Sequence, residues 1–188
     1  SNGMHYTSIE NIHKVIDPLF LDDLRGEFAK AENKNKLRAL QNKIAALKFL
    51  DPACGSGNFL TETYICLRRL ENDILKELSR QIVLGEFDNP VKVSIKNFYG
   101  IEINNFAVTV AQTALWIAEL MMKRETEAIV HKNLDLFPLK SYAHICEGNA
   151  LEVDWQELLK VNRELGNEVK STANLLPYSP TNLYIISN

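Results

Sequence analysis

Phe49-Leu50-Asp51-Pro52-Ala53-Cys54-Gly55-Ser56-Gly57-Asn58-Phe59-Leu60 is the stretch that decides how this chain folds. Lys48 to Leu50 reads as a short buried strand ending on the carboxylate of Asp51. Gly55 and Gly57 then allow the backbone a tight turn and a close approach to a ligand. A helix starting near Gly57 presents unpaired backbone N–H groups and the positive end of its dipole at that turn. A dinucleotide-binding loop carries a third glycine three residues after the second, and that position is Leu60. Asp51 would also repel a pyrophosphate. A ligand with positive charge and no phosphate suits the loop better.

Working outward, Leu60, Tyr64, Leu67, Ile74 and Leu78 predict a long amphipathic helix from Gly57 to about Arg80. Gly85 and Asn89-Pro90 signal turns within residues 81–96, and the alternation Val91, Val93, Ile95 predicts a strand. Phe98 to Ile103 reads as a second buried strand. Asn105 to Lys123 follows as an apolar helix with a narrow polar stripe, expected to be buried on most sides. Ala143 to Cys146, Trp155 to Val161 and Leu183 to Ser187 read as strand, short helix and strand, with a loop-like Gly166 to Pro180 before the last. Upstream, Ser8 is a helix cap ahead of Ile9, Ile12, Val15 and Ile16. Pro18 should kink or restart that helix, and Leu37, Leu40, Ile44 and Leu47 mark another.

The alternation of strands and helices predicts an α/β fold with a mainly parallel sheet, Rossmann-like, behind an N-terminal helical segment. The division expected is 1–47 for that segment and 48–188 for the α/β core. Ligands in such sheets sit beyond the carboxyl ends of the strands.

The 188 residues suffice for one domain with a sizeable core, and 46% apolar with 24% charged content argues against disorder. A net charge of −3 does not announce a surface that grips a phosphate backbone unaided. Lys30, Lys34, Lys36, Arg38, Lys43 and Lys48 read as a solvated helix face. Cys54, Cys66 and Cys146 form no CxxC pair and fit no disulfide framework, so a reducing, cytoplasmic setting is expected. No apolar run approaches the length of a membrane span. His5, His13, His131 and His144 are scattered and suggest no metal centre.

Chemistry is therefore sought after each strand. Glu102 ends the second core strand, where a carboxylate can accept hydrogen bonds from both hydroxyls of a ribose. Asn149 follows the third strand in Glu147-Gly148-Asn149-Ala150-Leu151, either as an acceptor through its side-chain oxygen or as a simple turn residue. Asp154 reads as the cap of the helix at Trp155. S-Adenosylmethionine, with an ammonium, a sulfonium, a ribose and no phosphate, is the cofactor these features fit.

Asp51 to Leu60 resembles motif I, D-P-x-x-G-x-G-x-F, of the amino-methylating DNA methyltransferases. That resemblance implies that Asp51, Pro52, Ala53, Gly55, Gly57 and Asn58 line the methionine and ribose side of the S-adenosylmethionine pocket. Gly100 to Asn104 is similar to motif II, which implies Glu102 on the ribose and Ile103 against the adenine ring. Glu147 to Leu151 is similar to motif III, which implies Asn149 and Ala150 at the adenine amino group. Gly3 to Ser8 resembles motif X, which implies Tyr6 and Thr7 near the methionine carboxylate, with Ser8 in place of the usual proline. About fifty residues separate motifs I and II, more than a minimal βαβ unit, and 81–96 reads as an insertion.

The fourth family motif, [NDS]-P-P-aromatic, supplies acceptors for the target amine and a stacking ring for the flipped base. Only its first residue, Asn188, is matched, and Asn89-Pro90 and Pro177-Tyr178 lie on the wrong side of a strand to serve. The order of motifs is most similar to adenine-N6 methyltransferases of type I and MmeI-like type IIG restriction-modification enzymes. The resemblance implies double-stranded DNA as partner, with nuclease and target-recognition domains outside these residues, and a segment that neither binds cofactor well nor methylates by itself. A methyltransferase for a glutamine side chain or an RNA base would share motifs I to IV; a degenerate module of the same fold without catalysis is the other alternative, and intact Asp51, Gly55, Gly57 and Glu102 argue against it.

Overall fold

The computed structural model describes residues 7–81, 90–134, 143–155, 157–159 and 182–187. Among these residues, helices α1 Ile9–Ile16, α2 Asp22–Ala29, α3 Lys34–Ala46, α4 Asn58–Gln81 and α5 Asn105–Val130 accompany strands β1 Lys48–Asp51, β2 Phe98–Glu102, β3 His144–Glu147 and β4 Leu183–Ile185. All pairings are parallel, in the order β3-β2-β1-β4. The fold is a Rossmann-like α/β sheet. The chain runs outward from β1 through β2 to β3, and β4 lies on the other side of β1. The carboxyl end of β1 is thus the topological switch point, where a crevice opens between diverging connections.

Ser8 caps α1 as its position suggests, accepting from the Asn11 N–H at 3.3 Å. At Pro18 the chain neither breaks nor restarts. It passes through a wider π-helical turn, Asp17–Leu21, and continues into α2. That turn spaces hydrogen bonds five residues apart, which accommodates the missing proline N–H and the ring without ending the helix. It also swings Phe20 inward. Phe20 meets Phe49 and Tyr184 at centroid distances of 5.1 Å each, and Phe49 stacks on Phe98 at 5.2 Å. One aromatic cluster therefore ties the N-terminal helices to β1, β2 and β4, and both parts share the same buried core.

The expected strand at Val91 to Ile95 does not form. Backbone groups here pair with side chains instead: the Lys92 and Val93 N–H groups donate to Glu71 Oε1 at 2.7 and 3.3 Å, and the preceding Pro90 carbonyl accepts from the Gln41 amide at 2.8 Å. A short 3-10 turn, Ile95–Asn97, then leads into β2. The wide spacing between β1 and β2 comes mostly from the 24-residue α4 and this return.

Glu71 also pairs with Arg68, and both are fully buried. Arg68 donates onward to the Thr126 hydroxyl at 2.7 Å, which in turn donates to Asn72 at 2.7 Å. This polar chain joins α3, α4 and α5. It holds α5 at Thr126, nearly one turn beyond Lys123 where the apolar periodicity fades, and the helix continues to Val130. Nor is α5 buried on most sides. It packs on α4 and the sheet, while Trp116, Ile117 and Met121 on its outward face remain exposed among the described residues. A one-sided apolar stripe is what packing against a single layer requires, and this helix carries a second.

Breaking a buried ion pair leaves an uncompensated charge. Glu71→Ala should lower the unfolding free energy by about 3–5 kcal/mol. A Glu71→Leu, Arg68→Met double variant should recover most of that loss, and urea denaturation of both variants would measure the coupling.

Candidate cofactor site

The loop after β1 is built from backbone bonds that follow from its sequence. The Gly57 N–H closes the turn onto the Cys54 carbonyl at 2.8 Å, and the Cys54 N–H reaches across to the Ile101 carbonyl of β2 at 3.0 Å. Both glycines adopt positive φ, 54° at Gly55 and 79° at Gly57, as their spacing suggests. Their surroundings differ. A Cβ on Gly57 would stand 2.8 Å from the Ala111 Cβ, whereas one on Gly55 would meet nothing within 4 Å. Gly57 thus serves the approach of α5, and Gly55 faces open space at the crevice.

Asp51 and Glu102 come together at the tips of neighbouring strands, with Asp51 in register with Gly100. Glu102 reaches over the loop: its Oε2 accepts the Gly55 N–H at 2.9 Å and its Oε1 accepts the Asn104 N–H at 2.9 Å. Each oxygen keeps a further lone pair for a ligand hydroxyl. Asp51 is only 2% exposed and accepts one bond, from the Ala53 N–H at 3.1 Å. Burial pushes its carboxyl up to about 7, the Ala53 N–H pulls it partly back, and the nearby Glu102 charge adds to the rise. No cation among the described residues offsets that burial. A positively charged ligand would.

Cys54 lies beneath the loop, its thiol pushed up to about 12 by burial and then by the charges of Asp51 and Glu102, so it packs rather than reacts. It fits because the next strand has Gly100, where a Cβ would sit 2.9 Å from Cys54 Sγ. Gly100 is a site-shaping residue that the reading of motifs missed; a glycine inside a strand pattern is the available signal.

Pro52, Gly55 and Asn58 are half-buried and Ala53 is exposed around the same turn. Ile103 is 74% exposed just past β2. Phe106 and Leu151 are also exposed, at 68% and 93%, beyond the ends of β2 and β3. They were not singled out from the sequence, where apolar residues at such positions look like core. Beyond β3, the Gly148 N–H bonds the Glu102 carbonyl at 2.9 Å, which brings Asn149 and Ala150 next to β2. Asn149 Oδ1 accepts the Leu151 N–H at 3.1 Å, closing the turn, and retains one lone pair. Asp154 caps the following helical turn through the Glu157 N–H at 3.2 Å. Thr7 is half-buried immediately ahead of α1, while Tyr6 and Asn188 lie outside the described residues.

A parallel 3-2-1-4 sheet, a glycine loop at its switch point and an acid at each of two adjacent strand tips define a methyltransferase-type Rossmann fold. Comparison with known proteins makes this specific. Residues 28–188 match the model of the MmeI DNA-methyltransferase domain, and the chain belongs to that family. It is 48% identical over 158 residues to DNA methyltransferase A of Bacillus subtilis (strain 168), covering 83% of this chain and 18% of that protein. It also superposes, with a TM-score of 0.77 and 42% identity, on the type IIL restriction-modification enzyme MmeI solved in complex with DNA, covering 85% of this chain and 22% of that one. The chain therefore spans about a fifth of the length of these relatives.

Two outcomes are expected from this geometry. Gly55→Ala should cost about 1–2 kcal/mol, the strain of a side chain at positive φ. Gly57→Ala adds a collision with α5 and should cost about 3 kcal/mol or more, partly relieved by Ala111→Gly; thermal unfolding of the three variants checks the order. For Asp51 the sign follows from its raised value: the folded chain holds a proton up to pH about 7, the unfolded chain releases it near 3.8, so this group's stabilising contribution is lost as pH rises between them. Asp51→Asn should therefore stabilise the unliganded protein by an amount that grows over that window and levels off above it, as unfolding measured across pH would record.

Proposed function

We propose that this chain is the S-adenosylmethionine-binding part of a DNA methyltransferase that transfers a methyl group to the exocyclic N6 amine of adenine. The observation that carries the cofactor assignment is the buried, uncompensated Asp51 beside the Glu102-held glycine loop. The cofactor is a cation with a ribose and an adenine, and the donor set fits each part. Asp51, Pro52, Ala53, Gly55, Gly57 and Asn58 would line the methionine and ribose side, with Thr7 and Tyr6 at the methionine carboxylate. Glu102 would hold the ribose hydroxyls through the free lone pairs of its two oxygens. Ile103 would pack on the adenine ring, and Asn149 with Ala150 would receive the adenine amine. When bound, the cofactor supplies an electrophilic methyl group on its sulfonium.

The protein's part in such a transfer is positioning and desolvation, because an aromatic amine needs its protons accepted and its attack aligned more than it needs a strong base. Asn188 stands first in the motif that would accept from that amine. β4 pairs with β1, and the Ile186 N–H bonds the Leu50 carbonyl at 2.9 Å, so the chain leaving β4 starts beside the Asp51 strand tip. That juxtaposition supports placing the acceptor side next to the methyl donor. The family, and the DNA-bound MmeI neighbour, support double-stranded DNA as the partner. Target-recognition and nuclease domains would belong to the same longer protein, in the cytoplasm. No helix among the described residues is long and apolar enough to cross a membrane, and the three cysteines are free.

Affinity for S-adenosylmethionine in a protein carrying the complete methyltransferase domain should rise as pH is raised to about 7 and then level off, because the cation selects ionised Asp51. Below that value the limiting slope is roughly tenfold per pH unit. Calorimetric titration at several pH values checks this, and Asp51→Asn should flatten the profile while weakening binding. Glu102→Ala should cost roughly 10–100-fold in affinity through its ribose bonds. Methyl transfer from labelled cofactor should appear on N6 of adenine in duplex DNA; label on cytosine, RNA or a protein glutamine instead would sink the adenine assignment.

A further inference from the structure

Outside the cofactor loop the structure gathers three metal-ligating side chains from two helices far apart in sequence. His13 comes from α1; Glu62 and Cys66 lie one turn apart on α4 and so share a face. His13 Nε2 stands 3.1 Å from Glu62 Oε1, Cys66 Sγ stands 3.5 Å from the same oxygen, and Sγ lies 3.9 Å from Nε2. A tetrahedral zinc-class ion, bonded at about 2.0–2.1 Å to imidazole, 2.0–2.2 Å to carboxylate and 2.3 Å to thiolate, holds such donors about 3.3–3.6 Å apart. The three donors already span one triangular face of that tetrahedron to within a few tenths of an ångström.

The second nitrogen of His13 strengthens the match. Nδ1 lies 2.8 Å from Asp17 Oδ1, and Arg25 stands 3.9 Å from that same oxygen. With an ion in place of any proton on Nε2, the Asp17 carboxylate would hold the remaining ring proton on Nδ1 and orient the ring. This is the arrangement that orients metal-bound histidines. Cys66 is buried and Glu62 nearly so, while His13 is partly exposed and leaves a route for an ion and for a water in the fourth position.

We propose that His13 Nε2, Glu62 Oε1 and Cys66 Sγ form a three-ligand site for a divalent cation of the zinc class, with Asp17 as the orienting carboxylate. Binding forms three metal–ligand bonds and releases to solvent the thiol proton and, where His13 is charged, its Nε2 proton. Its effect is mechanical. The ion staples α1 onto α4, and α1 begins directly after Thr7 while α4 begins directly after the glycine loop. A bound ion therefore fixes the N-terminal segment relative to the cofactor crevice.

Cobalt(II) serves as a coloured stand-in. Titrated into the chain, it should bind at one equivalent, give a thiolate-to-cobalt charge-transfer band, and be displaced by zinc. Cys66→Ser should abolish the band, whereas Cys54→Ala and Cys146→Ser should leave it. His13→Gln and Glu62→Gln, which fold independently of the buried thiol, should each weaken binding by at least 100-fold. Asp17→Asn should keep the band and weaken binding roughly 10–100-fold, the signature of an orienting rather than a ligating group. No band in the unmodified chain, or a band that survives Cys66→Ser, overturns the proposal and leaves His13 as a hydrogen-bonded latch between its two carboxylates. Cofactor titration of the same variants without metal reads the other site separately.

Discussion

A carboxyl group is held at the end of β1 with almost no solvent and, among the described residues, no cation. Every other feature of the crevice is arranged around that cost. Asp51 ends a strand between two others, so its burial is imposed by the sheet and not by a local pocket. Its neighbour Glu102 could have relieved the site by carrying a different side chain, and instead adds like charge. Two acids at adjacent strand tips are unfavourable in the empty protein and, under the proposed function, would become favourable once a cationic nucleoside lay across them. On that proposal stability is given up at the site for affinity, the trade expected where a protein recognises a charge.

The glycine loop makes that trade structurally possible. Glu102 accepts from Gly55 across the gap between strands, so the loop is clamped from β2 while its outer surface stays open. The clamp depends on close packing behind it. Gly57 admits Ala111 of α5, and Gly100 admits the Cys54 side chain. Three glycines in this region thus have three duties: an open face toward the ligand, contact with a helix, and room for a buried thiol.

Behind the crevice, two different devices hold the layers. The aromatic cluster of Phe20, Phe49, Phe98 and Tyr184 is non-directional and joins the N-terminal helices to the sheet by area burial. The Arg68–Glu71–Thr126 network is directional and fixes the register of α3, α4 and α5 and of the segment returning to β2. The chain belongs to the MmeI methyltransferase-domain family and spans about a fifth of the length of the relatives it matches.

The amino-acid sequence by itself determined the strand–glycine loop–helix unit, the acids at Asp51 and Glu102, the parallel α/β class and most element boundaries. These depend on residues close together in the chain: positive φ needs glycine, a strand end needs its apolar run, and a cap needs Ser8 or Asp154 at one position. Periodicity misled at Val91 to Ile95, because the acceptor that claims the Lys92 and Val93 N–H groups, Glu71, sits on a helix 21 and 22 residues away, and the Gln41 amide that donates to the Pro90 carbonyl sits on another. It also stopped α5 short at Lys123, whereas the helix runs to Val130, held at Thr126 by Arg68 and Asn72 on another helix. Only the tertiary structure decided that Gly57 serves α5, that Asp51 is uncompensated, and that His13 meets Glu62 and Cys66. Each is a matter of distance between residues that the chain separates by tens of positions, and local chemistry carries no record of such distances until the core has packed.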